Sequence, residues 1–296
     1  MNKNAALNQP NFVPRALAAE EDPKYWSIII RPRNPWFSLD LGEVWRYRDL
    51  IYLFVRRDLV AQYKQTVLGP LWFLLQPLFT TLVFTLVFGR IAQIPTDGVP
   101  DFLFYLAGTV CWSYFASCFS HCSEMFIANA AIFAKVYFPR LVIPVYSAIS
   151  DFIKFLIQFA LFCAFLWYFF PSGQPFLSWR LVWFPLILLE TAILAIGCGM
   201  LVSSLTTRYR DLKLVVSFGL QLLMFASPVI YPLSRAPERF RHYLALNPMA
   251  AILETFRSIF FDTPFPAAFY IFWSWVATLG LLLVGLVFFS RVEKTP

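Results

Sequence analysis

Few residues in this chain could do chemistry, and those few stand apart. Cys118, His121 and Cys122 put three potential metal ligands within one helical turn, yet no second cluster completes a tetrahedral site. Together with Cys111, Cys163 and Cys198 they sit inside apolar runs with no paired C-x-x-C knuckle, so the cysteines read as small buried hydrophobes and no metal is expected. His242 lies far away among arginines, and two scattered imidazoles make no acid/base constellation. The chain has no G-x-x-x-x-G-K-S/T phosphate loop, H-E-x-x-H, G-x-S-x-G or dinucleotide glycine pattern, so neither nucleotide binding nor catalysis is expected of it. Three ionisable residues fall instead inside apolar segments, where charge is costly and marks function by default. Asp151 and Lys154, i,i+3 on one helix, are expected to neutralise each other. Glu190 has no opposite charge near it in sequence and either faces a wet cavity or is protonated in an apolar site. No row of such groups crosses the membrane, so ion-coupled transport is poorly motivated and any energy must come from elsewhere.

The elements that hold these groups are solvated largely by lipid. Of 296 residues, 59% are apolar and 14% charged, against about 45–50% and about 25% in a soluble domain. That composition excludes disorder, fibrous repeats and a small disulfide scaffold. The formal charge of +7 would suggest nucleic acid if read alone, but the cations gather at one end of the chain and in particular loops, so no nucleic-acid partner is expected. Six apolar segments are long enough to cross about 30 Å of hydrocarbon: approximately 71–89, 102–122, 142–170, 181–205, 214–231 and 269–290. Seventeen of the 24 Lys and Arg lie on the side of the termini and six on the opposite side, which makes both termini cytoplasmic.

Ahead of the first span, residues 41–66 form an amphipathic helix with Leu41, Val44, Trp45, Ile51, Tyr52, Val55, Leu59 and Tyr63 on one face. Arg46, Arg56, Arg57 and Lys64 make it too charged to span, so it is expected in the headgroup plane against anionic lipid. Residues 232–268 contain five prolines around an apolar, helix-like stretch at 250–261 that is too short to cross. A re-entrant outer hairpin is expected there if protein or a wet cavity covers its broken backbone. A plain outer loop is the alternative. The fold class is thus an all-α integral membrane protein, with a polar cytoplasmic arm at 1–40, a transmembrane domain at 67–290 and a short cytoplasmic tail at 291–296.

The stretches WRYRDLIYLFVRRDL at 45–59, RRDLVAQYKQTVLGPLW at 56–72, NAAIFAKVYFPRLVIPV at 129–145, SSLTTRYRDLKLVV at 203–216, and SPVIYPLS with LNPMAAILETFR between 227 and 257 follow one another in order. In this the chain resembles the membrane (permease) subunit of type-2 ABC exporters, in the branch that moves O-antigen, capsule and teichoic-acid polymers across the bacterial inner membrane. The resemblance implies a homodimer paired with two copies of a separate ATPase that binds ATP and Mg, no cofactor in this chain, and a lipid-linked glycan as substrate. It implies a coupling segment at 127–140, with Asn129, Lys135, Phe138, Pro139 and Arg140 matching the pattern, and a second cytoplasmic contact at Arg208, Tyr209, Arg210 and Asp211. Each is equally readable as an ordinary basic loop or helix anchor. The turn at Leu68, Gly69 and Pro70, with Trp72 beside it, implies a channel entrance or a plain hinge. The long arm departs from the family pattern and carries no identifiable chemistry.

A polar polymer needs a continuous wet passage whose walls bind sugar weakly and repeatedly. Trp72, Gln76 and Phe79 share one face of the first span, and Phe218, Gln221 and Phe225 share one of the fifth, mixing amide with aromatic. A small amphipathic drug or lipo-oligosaccharide would need only a side-opening pocket. A membrane glycosyl- or acyltransferase would need a buried acid/base pair. Ala195, Gly199 and Ser203 form a small-residue ridge expected to pack within the subunit.

Overall fold

The computed structural model describes residues 41–64, 69–129, 132, 138–170, 179–206 and 211–292. The arm at 1–40 and Leu68, Lys135, Arg208, Tyr209 and Arg210 lie outside these residues. Among the described residues every regular element is helical and no strand occurs.

Two helices, α1 (Leu41–Arg46) and α2 (Arg48–Lys64), stand where the periodicity predicts one. They are separated by a turn at Tyr47, whose N–H donates to the Val44 carbonyl at 3.1 Å. The packed face is narrower than the wheel suggests, because α2 lies along a single neighbouring helix. Val44, Phe54 and Val55 are buried, whereas Trp45 and Tyr52 are 71% and 69% exposed. Arg46, Arg56, Arg57 and Lys64 are exposed as expected.

A tight turn at Gly69–Leu71, with Gly69 at φ +48°, leads into α3 (Trp72–Phe84), which continues as wider π-helical turns at Thr85–Ile91. Then follow α4 (Asp101–Ser123), the short α5 (Met125–Ala128), α6 (Val142–Phe169), α7 (Trp183–Thr206, entered through a turn at Trp179–Val182), α8 (Leu212–Ala226), α9 (Glu238–Ala245), α10 (Pro248–Phe261) and α11 (Ala268–Val292). Five of these, α3 with its π turns, α4, α6, α7 with its leading turn and α11, are long and apolar enough to cross a membrane. The remaining segment expected to span, 214–231, forms in α8 a helix of only 15 residues, about 22 Å at 1.5 Å per residue. Ser227 and Pro228 end it.

The bundle is built around α4, which is apolar on every side and therefore central. Leu103 to Cys111 are buried in unbroken succession, enclosed by α3, α6, α7 and α10. Along α7 the small residues allow close helix approach. Ala195, Gly199 and Ser203 are all buried, with Gly199 against Cys122 of α4. A second contact, at Gly197, was not anticipated: a methyl group there would lie 2.8 Å from the Leu282 backbone of α11. Asn247 caps α10 by accepting from the Met249 N–H at 3.1 Å, and Pro248 occupies the first turn. Only 14 residues long, α10 is buried on nearly all sides.

Because backbone atoms cannot yield as a flexible side chain can, Gly197→Ala should cost about 1–3 kcal/mol. The purified protein should unfold at a lower temperature in detergent, while Gly219→Ala, with nothing within 4 Å of the added carbon, should not. Equal melting of the two variants would count against this packing.

Candidate transport pathway and coupling face

Among the described residues α3, α6, α8 and α11 each keep a face uncovered, and the two amide–aromatic faces expected from the sequence lie on α3 and α8. On α3, Thr81 meets Thr109 of α4 through a 3.0 Å hydroxyl contact and Pro77 and Phe84 are buried, whereas Trp72, Gln76 and Phe79 are exposed. On α8 nothing is buried, and Leu212, Val216, Leu220 and Met224, at four-residue spacing, are half-buried on the bundle side. Phe218, Gln221 and Phe225 are exposed. Both expected amide–aromatic faces are therefore open. Gly69 is half-buried in the turn beneath Trp72.

Beyond the C-terminal end of α4, the described residues matched to the coupling pattern divide into two kinds. Asn129 is buried; its Nδ2 donates to the Met125 carbonyl at 3.0 Å and its Oδ1 accepts from the Tyr146 hydroxyl at 3.4 Å. Phe138 is buried edge-on against Phe54 of α2, with ring centroids 5.9 Å apart, and Phe54 in turn lies 5.1 Å from Tyr146. These two side chains position the segment. Pro139 and Arg140 are half-buried, with the Arg140 guanidinium 5.7 Å from the Phe126 ring, and Asp211 is exposed. Two further contacts gather here that sequence reasoning missed: Thr206 of α7 donates to the Ser123 carbonyl at 2.9 Å, and Lys213 of α8 pairs with Glu124 at 2.7 Å.

The intramembrane charges form a compensated seam between α4 and α6. Asp151 is fully buried, with Lys154 Nζ 2.9 Å from Oδ1 and His121 Nδ1 2.7 Å from Oδ2. The Asp151–Lys154 pairing was legible from the i,i+3 spacing, but the contribution of His121 was not, since it requires α4 and α6 to be antiparallel neighbours. Because His121 turns to Asp151 while Cys118 and Cys122 face the core, the potential ligands diverge, and no group of three or more metal-binding side chains occurs among the described residues. His242 meets the Tyr270 hydroxyl at 3.0 Å, so the two histidines serve different partners. Glu190 is buried and accepts from Ser274 of α11 at 2.5 Å.

The residue that the sequence hides best is Arg257, which reads there as one more outer arginine. It is 2% exposed on α10 and donates to the carbonyls of Pro228 and Val229 at 2.5 and 2.7 Å. Its guanidinium lies 3.7 Å from the centroid of the Phe104 ring.

Residues 49–261 match the sequence profile of the ABC-2 type transporter family. The chain belongs to that family. This ABC-2 chain is thus the membrane subunit of a type-2 ABC exporter, a multi-pass transport permease and not itself a catalyst. It is 30% identical over 247 residues to an O-antigen export system permease protein of Klebsiella pneumoniae, covering 83% of this chain and 92% of that one. A protein of the same name from Myxococcus xanthus is 28% identical over 232 residues, or 76% and 85% of the two chains. The capsule polysaccharide export inner-membrane protein of Neisseria meningitidis is 23% identical over 259 residues, or 83% and 92%.

The Asp151 seam makes a sharp prediction for this permease. Asp151→Ala leaves Lys154 buried without its counter-charge and should destabilise by about 3–5 kcal/mol. Adding Lys154→Met should recover most of that loss in thermal unfolding, and a double variant as unstable as the single would contradict the pairing.

Proposed function

We propose that this permease, with a second copy of itself and two separate ATPase subunits, exports a lipid-linked or lipid-anchored polysaccharide of O-antigen or capsule type across the bacterial inner membrane. The open amide–aromatic faces of α3 and α8 carry this reading, in a chain whose relatives are named as polysaccharide export permeases. Sugars present C–H faces that pack on aromatic rings and hydroxyls that bond amides. A wall mixing Trp72, Phe79, Phe218 and Phe225 with Gln76 and Gln221 offers both weakly and repeatedly. The second copy closes the passage by covering these faces from the opposite side.

In this reading α8 and residues 227–230 together make the fifth of six crossings, and both termini are cytoplasmic. The helices within 41–66 lie in the inner headgroup plane with their arginines toward anionic phosphate. Residues 232–268 form a re-entrant hairpin, a reading supported by the burial of α10 on nearly all sides. Leu68, Gly69 and Trp72 stand at the cytoplasmic mouth. The ATPase, holding ATP and Mg, docks on 127–140 and touches the chain again at 208–211. Phe138 and Asn129 hold that docking segment in place; Lys135, Pro139 and Arg140 meet the partner.

Replacing Gln76 and Gln221 together by leucine should lower export of surface glycan at least several-fold while the ATPase still co-purifies with the permease. Undiminished surface glycan in that double variant would refute the assignment of these faces to the passage.

A further inference from the structure

We propose that the ion pair between Glu124 and Lys213 is the linkage through which movement of the cytoplasmic coupling segment reaches α8. The inference rests on the reading of α8 as a passage wall and of 127–140 as the docking segment.

Among its described neighbours α8 is the least secured of the long helices. None of its residues is buried, and it leans on the bundle only along the stripe from Leu212 to Met224. What fixes it lies at its two ends, and the two fastenings differ in kind. Beyond the outer end, Ser227, Val229 and Ile230 are buried, Arg257 holds two consecutive carbonyls, and the Asn247 amide donates to the Ser227 hydroxyl at 2.9 Å. Such a buried, several-bonded anchor does not exchange readily. At the inner end the fastening found among the described residues is the pair Lys213 Nζ to Glu124 Oε2, 2.7 Å long, with side chains 55% and 35% exposed.

Glu124 occupies the joint between α4 and α5, immediately before the docking segment, and Lys213 is the second residue of α8. A displacement of the docking segment therefore moves Glu124, and its carboxylate draws the first turn of α8 with it. With the far end anchored, α8 tilts about Ser227–Ile230, so Phe218 and Gln221 move relative to the face on α3. A water-exposed pair suits this task because it contributes little to folding stability and can break and re-form in each cycle.

The test is charge reversal in the full complex with its ATPase. Glu124→Lys and Lys213→Glu should each raise the ATP consumed per unit of glycan exported by up to roughly fivefold, the limit for an interaction worth about 1 kcal/mol. The double reversal, which rebuilds the pair with opposite polarity, should return that ratio close to the wild-type value. Single variants with wild-type ratios, or a double variant no better than the singles, would overturn the linkage. Failure of the underlying export reading has a separate signature: deleting the permease gene would leave surface glycan intact whatever the state of this pair.

Discussion

Where the chain turns out of a helix inside a membrane bundle, the carbonyls of that turn have no water to turn to, and each one left unsatisfied costs several kcal/mol. This permease meets that constraint with Arg257. Helix α8 ends at Ala226, and in the buried turn after it the guanidinium carried by α10 takes up the carbonyls of Pro228 and Val229 while lying over the Phe104 ring. The requirement propagates outward. Glu254 lies 3.4 Å from Arg257 and accepts from the Leu233 N–H at 3.1 Å, tying the next turn to α10. Position 108 on α4 admits only glycine, since a methyl group there would lie 2.8 Å from the Val229 carbonyl oxygen and 2.9 Å from the guanidinium. One cation thus joins α4, the end of α8 and α10, and through them the outer end of the bundle acquires its shape.

The same accounting governs many of the remaining buried polar groups, although the hydroxyls of Tyr105, Ser150 and Thr278 find no partner among the described residues. Asp151 is matched by Lys154 and His121, Glu190 by Ser274, and Gln158 accepts from Ser113 at 2.5 Å. Each contact crosses between neighbouring helices or neutralises charge within one. The ionisable groups inside the bundle are therefore spent on holding helices together, not on conducting ions. The amide–aromatic faces of α3 and α8 stay uncovered among the described residues.

Much of this was legible in the sequence because hydrophobic length and charge placement are local properties. Five of the six expected spans, the helix at 250–261 and the small-residue ridge on α7 follow from counting residues. Of the apolar face at 41–66, Val44 and Val55 pack on the chain while Trp45 and Tyr52 stay uncovered by it, and Phe54, which the wheel passed over, is buried against Phe138 and Tyr146. Arg257, Glu124 and Lys213 escaped notice too. Their roles depend on contacts between residues up to 89 positions apart, and no local spacing encodes which helix ends meet. Within 127–140 the sequence does not separate inward from outward side chains, and only packing shows that Asn129 and Phe138 are buried.

The account holds that this chain shapes a hydrated passage and lacks its own source of work. Its most direct test is translocation of lipid-linked glycan into proteoliposomes containing the permease alone or the permease with its ATPase and Mg-ATP. The expected result is uptake only when partner and nucleotide are both present. Uptake by the permease alone, or ATP hydrolysis by the purified chain, would contradict it.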